Sequence, residues 1–318
     1  YELFVFLICL PIMIAEMAVG RKTAKEPVGA YKSLSNNSSL WGAAGFLGVL
    51  TPFMIAVFYM VITVWIFGYI VMTISGNLDY LASGNGFGEF INSPYLFAAM
   101  AAVVAIVNFI LVAGVKDGIE RAAKILMPTL FFMLIMMVIF VLTLDNAIAG
   151  IKFFLIPDIS KITPSVVNGA LSQAFFSLSL GMGILITYGS YIDNKTNIPN
   201  SAKLVAITDT GVAFVAGLMI LPAVFSFNPN VNPSELSDSS VSLIFTFLPK
   251  IFLALQTSIG YVGASSVAAF FFLLVFFAAI TSLVSIIEVP VSYLVKKKNN
   301  SRKKALSILL MTAGVLTV

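Results

Sequence analysis

Four carboxylates lie inside long apolar runs of this chain: Glu2, Glu16, Asp209 and Glu288. In a lipid environment each costs roughly 2.5–3.5 kcal/mol near the bilayer centre unless a partner or a function offsets it. Asp209 is the deepest. It sits in Ile207-Thr208-Asp209-Thr210-Gly211, between two hydroxyls and just before a glycine, and that setting points to cation binding. Glu2 is at the end of its run and reaches water. Glu16 precedes Gly20-Arg21 by four residues and reads as structural, bonded to backbone amides or loop cations near the membrane surface. Glu288 is two residues before Pro290, whose ring removes a helix hydrogen bond. Two readings stand for it: pairing with the freed amide, or lining an inner water path.

Two polar clusters accompany these acids. Gln173-Ala174-Phe175-Phe176-Ser177-Leu178-Ser179-Leu180-Gly181-Met182-Gly183 places serine and glycine in the middle of an apolar run. Gly-x-Gly is a place where a helix can unwind, and irregular backbone at membrane depth is tolerated only where it lines a polar cavity. Exposed half-helix ends then attract ions and charged substrate groups. Close packing through small residues is the competing reading, against which Gln173, Ser177 and Ser179 in adjacent turns favour a site. The second cluster, Ala278-Ala279-Ile280-Thr281-Ser282, either bonds back to its own helix or turns hydroxyl oxygens toward a small hard cation. By spacing alone the silent reading is preferred, but three such clusters together suggest ion-coupled transport.

Other chemistry is excluded or disfavoured. With 0 histidines, imidazole acid–base catalysis and His-ligated metals are absent. The single cysteine, Cys9, forms no intrachain disulfide and reads as packing. Ser/Lys or paired-aspartate intramembrane catalysis needs its groups close together, and these acids are scattered along the chain. The chain is therefore not read as an enzyme, and no organic cofactor is expected.

The elements that position these groups are membrane helices. A composition 59% hydrophobic and 10% charged over 318 residues excludes a water-soluble fold. A bilayer core of about 30 Å needs about 20 apolar residues per helix. Eight spans fit, over 1–20, 40–75, 95–115, 119–144, 165–192, 201–227, 263–295 and 305–318. The second and seventh are long enough to require tilt or extension beyond the membrane. Fifteen of the 18 Lys and Arg fall in the loops on one side, leaving Lys152, Lys161 and Lys250 on the other. The positive-inside rule makes the rich side cytoplasmic, so Tyr1 lies outside. That placement leads us to expect a further helix upstream, and the short final span leads us to expect others downstream. The net charge of +4 is then a cytoplasmic bias rather than a nucleic-acid surface. Outside, residues 228–262 open with Asn228-Pro229-Asn230-Val231-Asn232-Pro233 and turn apolar at Leu243 through Pro249. This is expected to be an extracellular helical hairpin, either a lid or a passive interfacial helix.

On these residues the sequence resembles the neurotransmitter:sodium symporter family, in particular its bacterial amino-acid transporters with the leucine-transporter fold. The resemblance runs over nearly the whole chain. Its most specific elements are Pro11 through Glu16 with Gly20-Arg21, Ala56-Val57-Phe58-Tyr59 with Trp65, Gly118 through Lys124 with Pro128, and Phe175 through Gly183 with Ile186-Thr187-Tyr188-Gly189-Ser190-Tyr191. It implies an all-α polytopic membrane protein with an incomplete inverted repeat: about eight transmembrane helices, corresponding to family helices 2 to 9, in a single transporter domain over 1–318, with helix 6 broken. Helix 1, outside this chain, would supply about half of each binding site, so the segment alone is not expected to transport.

The same resemblance implies a substrate pocket of Ile55, Tyr59, Phe176, Ser177, Ser179, Met182, Leu185 and Ile286. Tyr59 and Phe176 look like the aromatic pair that closes over a bound amino acid. Met182 stands where other members carry Phe, and the slimmer thioether leaves room for a large hydrophobic or aromatic substrate. Two sodium sites follow: Ser177 and Asp209, aligned through Gly217, for the first, and Ala278, Thr281 and Ser282 for the second. Tyr1, Gln173 and Ser177 correspond to chloride-site residues of chloride-dependent relatives, and the fixed charge of Asp209 beside them implies chloride independence. Gly118 and Pro128 match a family pattern that lets the cytoplasmic part of helix 5 unwind. One feature departs from the family: where an acid is often found at the inner end of helix 8, near the tyrosine that Tyr191 resembles, this chain reads Val295-Lys296-Lys297-Lys298. The expected function is sodium-coupled amino-acid symport across the inner (plasma) membrane. The alternative is a non-transporting receptor or scaffold of the same fold, whose polar groups would satisfy one another without a cavity.

Overall fold

The computed structural model describes residues 1–113, 118–227, 240–298 and 301–317. Among these the chain is helical, with no strand. Lys116 and the Asn228–Pro233 opening of the outer loop lie outside the described residues.

Helix α1 spans Glu2–Thr23 and holds a π-helical turn at Val5–Cys9. Pro11 explains that turn: it has no N–H, and its ring needs room against the carbonyl of the preceding turn. The amide of Leu10 accordingly reaches back to Val5 O. Left-handed Ala24 ends the helix. Helix α2, Pro27–Leu34, follows, and the Glu26 carboxylate accepts its first amides, from Val28 at 2.7 Å and Gly29 at 2.9 Å. Helix α3, Ser39–Ile74, has 36 residues and is about 54 Å long at 1.5 Å per residue, well beyond a bilayer core.

On the outer side are two short helices, α4 (Leu78–Ala82) and α5 (Gly86–Ile91). Then come α6 (Tyr95–Ala113), α7 (Gly118–Val141) and α8 (Ala147–Leu155). Helix α7 stays helical through Pro128, so in this conformation the Gly118–Pro128 segment is wound. The span expected over 165–192 is two pieces, α9 (Pro164–Ser177) and α10 (Ile184–Gly189). After them come α11 (Ile198–Phe227), α12 (Ser240–Ala254), α13 (Gln256–Lys298) and α14 (Arg302–Thr317). Gly260 interrupts α13 at φ 74, a value that favours glycine, so the long membrane-crossing part begins after it.

Among the described residues four helices are long and apolar enough to cross a membrane on those grounds alone: α1, α3, α11 and Gln256–Val295 of α13. Leu7 at 67% and Phe109 at 76% exposure show the outer faces presenting apolar side chains, as lipid requires and water does not. The core lies where α13 runs along α3, the most extensive helix pairing among the described residues. Helix α12 folds onto the outer end of α3: Tyr69 Oη donates to Phe245 O at 3.1 Å, and Phe245 packs among Trp65, Tyr69 and Phe87. Helices α1 and α10 touch backbone to backbone. A Cβ on Gly20 would lie 2.1 Å from Ile186 O, and one on Gly189 2.5 Å from Met17 O.

Candidate functional site: a broken helix beside an intramembrane carboxylate

The break between α9 and α10 is built from left-handed residues. Ser179 has φ 57, Gly181 φ 73 and Gly183 φ 67. The end of α9 is closed by amides of Leu178, Ser179 and Leu180 reaching back to Ala174, Phe176 and Phe175 carbonyls, a left-handed cap that usually employs glycine. Using Ser179 there stores roughly 1 kcal/mol of strain. Gly183 has a further role. A Cβ on it would meet Pro27 Cγ at 2.5 Å and Gly48 O at 2.6 Å, so α2 and α3 close directly onto the break.

Glu16 of α1 reaches this break. Its Oε1 accepts from the Gly181 amide at 2.8 Å, while its second oxygen is buried without a partner. The surface role expected for Glu16 is corrected: of the two partner types proposed, a backbone amide is right, but it belongs to the unwound segment. No local signal shows this, because the partners are 165 positions apart.

One cavity of about 540 Å³ opens beside the break. All eight residues expected from the resemblance line it: Ile55 and Tyr59 from α3, Phe176 and Ser177 at the end of α9, Ser179 and Met182 in the break, Leu185 from α10 and Ile286 from α13. Gln173, Thr281 and Ser282 share the same wall. Ala278 is not among the lining residues, and its carbonyl accepts from Thr281 Oγ1 at 2.8 Å. In this conformation Thr281 therefore bonds back to its own helix. Sequence reasoning did not anticipate Tyr188 and Ser285, which add two more hydroxyls to the lining.

Asp209 stands behind Ser177. The Ser177 hydroxyl donates to its carboxylate, 2.8 Å from each oxygen, and the Tyr1 hydroxyl donates at 3.1 Å. Both partners are neutral, so the negative charge is hydrogen-bonded but not cancelled. Oxygen donors around an uncancelled carboxylate suit a small hard cation. Among the described residues no group of three or more Cys, Asp or Glu gathers to hold a metal, so such a cation would sit among hydroxyls and carbonyls.

At the inner end of the site Glu288 has side-chain partners that neither reading named. Arg302, at the start of α14, approaches it in a fork at 2.6 and 3.1 Å, and Tyr191 Oη donates to it at 3.3 Å. The acid missing from 295–298 is thus supplied near Tyr191 by Glu288, about two turns earlier on α13. Lys296, Lys297 and Lys298 are the last residues of that helix.

Comparisons with known proteins agree with this geometry. The model of the Sodium:neurotransmitter symporter family matches residues 89–318. A Bacillus subtilis protein named as an uncharacterized sodium-dependent transporter, YhdH, is 36% identical over 99% of this chain and 67% of its own length. A Haemophilus influenzae protein of the same description is 37% identical over 96% of this chain and 67% of its own. The crystal structure of MhsT in complex with L-phenylalanine superposes with a TM-score of 0.88 at 40% identity, covering 99% of this chain and 69% of that one. The chain spans about two thirds of the length of each of these proteins. Broken helix, fold, family match and sequence identity converge: the chain belongs to the sodium:neurotransmitter symporter family, a family of sodium-dependent transporters rather than enzymes.

Proposed function

We propose that the protein to which this chain belongs carries a large hydrophobic or aromatic amino acid into the cell by sodium-coupled symport, across the cytoplasmic membrane, by alternating access. The observation carrying this reading is a single cavity whose wall joins the broken-helix residues Ser177 and Ser179 to the hydroxyls Thr281 and Ser282, with Asp209 directly behind Ser177. Ser177 and Ser179 of the broken helix would meet the ionic end of an amino acid, and Ile55, Met182, Leu185 and Ile286 would surround its apolar side chain. Tyr59 and Phe176 form the outer closure. That MhsT binds L-phenylalanine supports an aromatic side chain here.

In this reading Ser177 and Asp209 hold one sodium, while Ala278, Thr281 and Ser282 hold a second. Thr281 then exchanges its helix carbonyl for the ion. Sodium is cargo, drawn inward by its gradient, and its charge completes the Asp209 network. Asp209, bonded to Tyr1 and Ser177, supplies the fixed negative charge that makes chloride dispensable. Helix α12, tied to α3 through Tyr69, acts as an outer lid.

The test is uptake of labelled leucine, phenylalanine and tryptophan by the complete gene product in proteoliposomes. Uptake should require sodium and persist when gluconate replaces chloride. Uptake unaffected by replacing sodium with choline overturns the coupling, and loss of uptake in gluconate overturns chloride independence.

A further inference from the structure

Helix α2 joins two packed parts of the chain. It follows α1, which touches α10 backbone to backbone, and precedes α3, which runs along α13. Its first residues also touch the helix break. We propose that Glu26, by capping α2, is a positioning residue for transport: it seats Pro27 against Gly183 as the pivot on which α10, the inner half of the broken helix, turns. This role deepens the alternating-access reading above and rests on it.

The local sequence Lys25-Glu26-Pro27 builds the cap. Proline suits the first position of a helix, where its missing N–H leaves nothing unpaired, and it holds the residue before it extended. Glu26 accordingly has φ −68 and ψ 168. From there its carboxylate accepts the amides of Val28 on Oε2 and Gly29 on Oε1. Glu26 is 6% exposed, so these charge-assisted bonds form away from water and are stronger for it. Pro27 and Val28 are buried with it.

Two glycines of α3, Gly45 and Gly48, receive the capped turn. A Cβ on Gly45 would lie 2.6 Å from Val28 Cα and 2.8 Å from Pro27 O, so α2 rests directly on the α3 backbone. A Cβ on Gly183 would lie 2.5 Å from Pro27 Cγ and 2.6 Å from Gly48 O. The Pro27 ring therefore fills the place where Gly183 has no side chain. Gly183, at φ 67, is the residue from which α10 starts. A left-handed glycine at the start of a helix is a joint that turns easily unless it is packed, and here α2 and α3 pack it.

Without the cap, the first turn of α2 frays and Pro27 leaves its seat. Helix α10 then remains tied to α1 through Gly20 and Gly189 but loses its contact with α2 and α3 at the joint, and swings more readily. Thr187 of α10, 0% exposed, reports that motion, because a reagent reaches it only when α10 moves.

The test is the rate at which a maleimide labels Thr187→Cys in the complete purified protein, in a background lacking all native cysteines, Cys9 included. Ala264→Cys on α13, also 0% exposed, is the control. Glu26→Ala is expected to raise labelling at 187 about fivefold, the factor that one helix cap contributes, and Pro27→Ala should raise it likewise. The double variant should rise no further, because both changes remove one seat. Glu26→Asp, which keeps a capping carboxylate, should stay near the parent rate. Unchanged labelling in Glu26→Ala would overturn the proposal. An equal rise at 264 would also overturn it, by reducing Glu26 to a stabiliser of the whole protein, as would effects of Glu26→Ala and Pro27→Ala that multiply, which place them on separate contacts. Labelling needs no substrate, so failure of the pivot is read separately from failure of sodium-coupled uptake.

Discussion

Asp209 and Glu288 are both carboxylates within apolar helices, yet their surroundings are opposite. Asp209 is held by two neutral hydroxyls, Ser177 and Tyr1, beside a cavity. Glu288, 7% exposed, is held by the Arg302 guanidinium at 2.6 Å and by Tyr191. An acid already paired with arginine has its charge cancelled from within the chain and can act as a lock between helices. One whose partners among the described residues are hydroxyls has its charge uncancelled by them, which is costly at membrane depth unless a cation from outside completes it. In the function proposed above, ion handling falls to the middle of the molecule and closure to its inner end.

The largest effect that would test this contrast is expected at Asp209. Asp209→Asn keeps the shape and hydrogen-bonding capacity but removes the charge. Sodium-dependent uptake should fall at least tenfold, about 1.4 kcal/mol or more in apparent sodium affinity, while thermal stability without sodium stays level or rises. Arg302→Gln should do the reverse. Leaving Glu288 buried without its cation is expected to cost about 1–3 kcal/mol of stability, less than the 3–5 of a fully buried pair because Arg302 is 40% exposed. Sodium affinity should change little, and thermal unfolding with and without sodium separates the two variants.

A smaller effect separates two glycines of the break. Gly183→Ala meets Pro27 and the Gly48 backbone and should cost more than the roughly 1 kcal/mol that a left-handed alanine carries alone. Gly181→Ala meets nothing within 4 Å and should cost only that. Equal losses of stability would show that the break is not packed as described. The smallest effect is on selectivity. Met182→Phe fills the cavity and should weaken tryptophan uptake relative to leucine by about tenfold, the lower end of what one pocket contact discriminates.

The helix break was legible because serine and glycine clustered in the middle of an apolar run weaken a helix that lipid would otherwise keep continuous, and the structure puts left-handed backbone at Ser179, Gly181 and Gly183. The cavity residues were legible through the family resemblance, which fixed their register one residue at a time. The contacts of Glu16 and Glu288 were not, since each depends on a partner brought in by tertiary packing. Gly181 reaches Glu16 only because Gly20 and Gly189 let α1 and α10 touch. Arg302 reaches Glu288 only because α14 turns back beside α13. Hydropathy assigned Glu16, Gly181 and Glu288 to spans and Arg302 to a loop, but it carries no information on which faces of two elements meet.

The central claim is that Asp209 carries a charge completed by sodium, and equilibrium binding of radioactive sodium to the purified complete protein, wild type against Asp209→Asn, measures that directly. Wild type should bind sodium more tightly in the presence of L-phenylalanine, and the variant should lose at least one bound sodium while keeping its fold. Unchanged sodium stoichiometry and affinity in a folded Asp209→Asn protein would contradict the account.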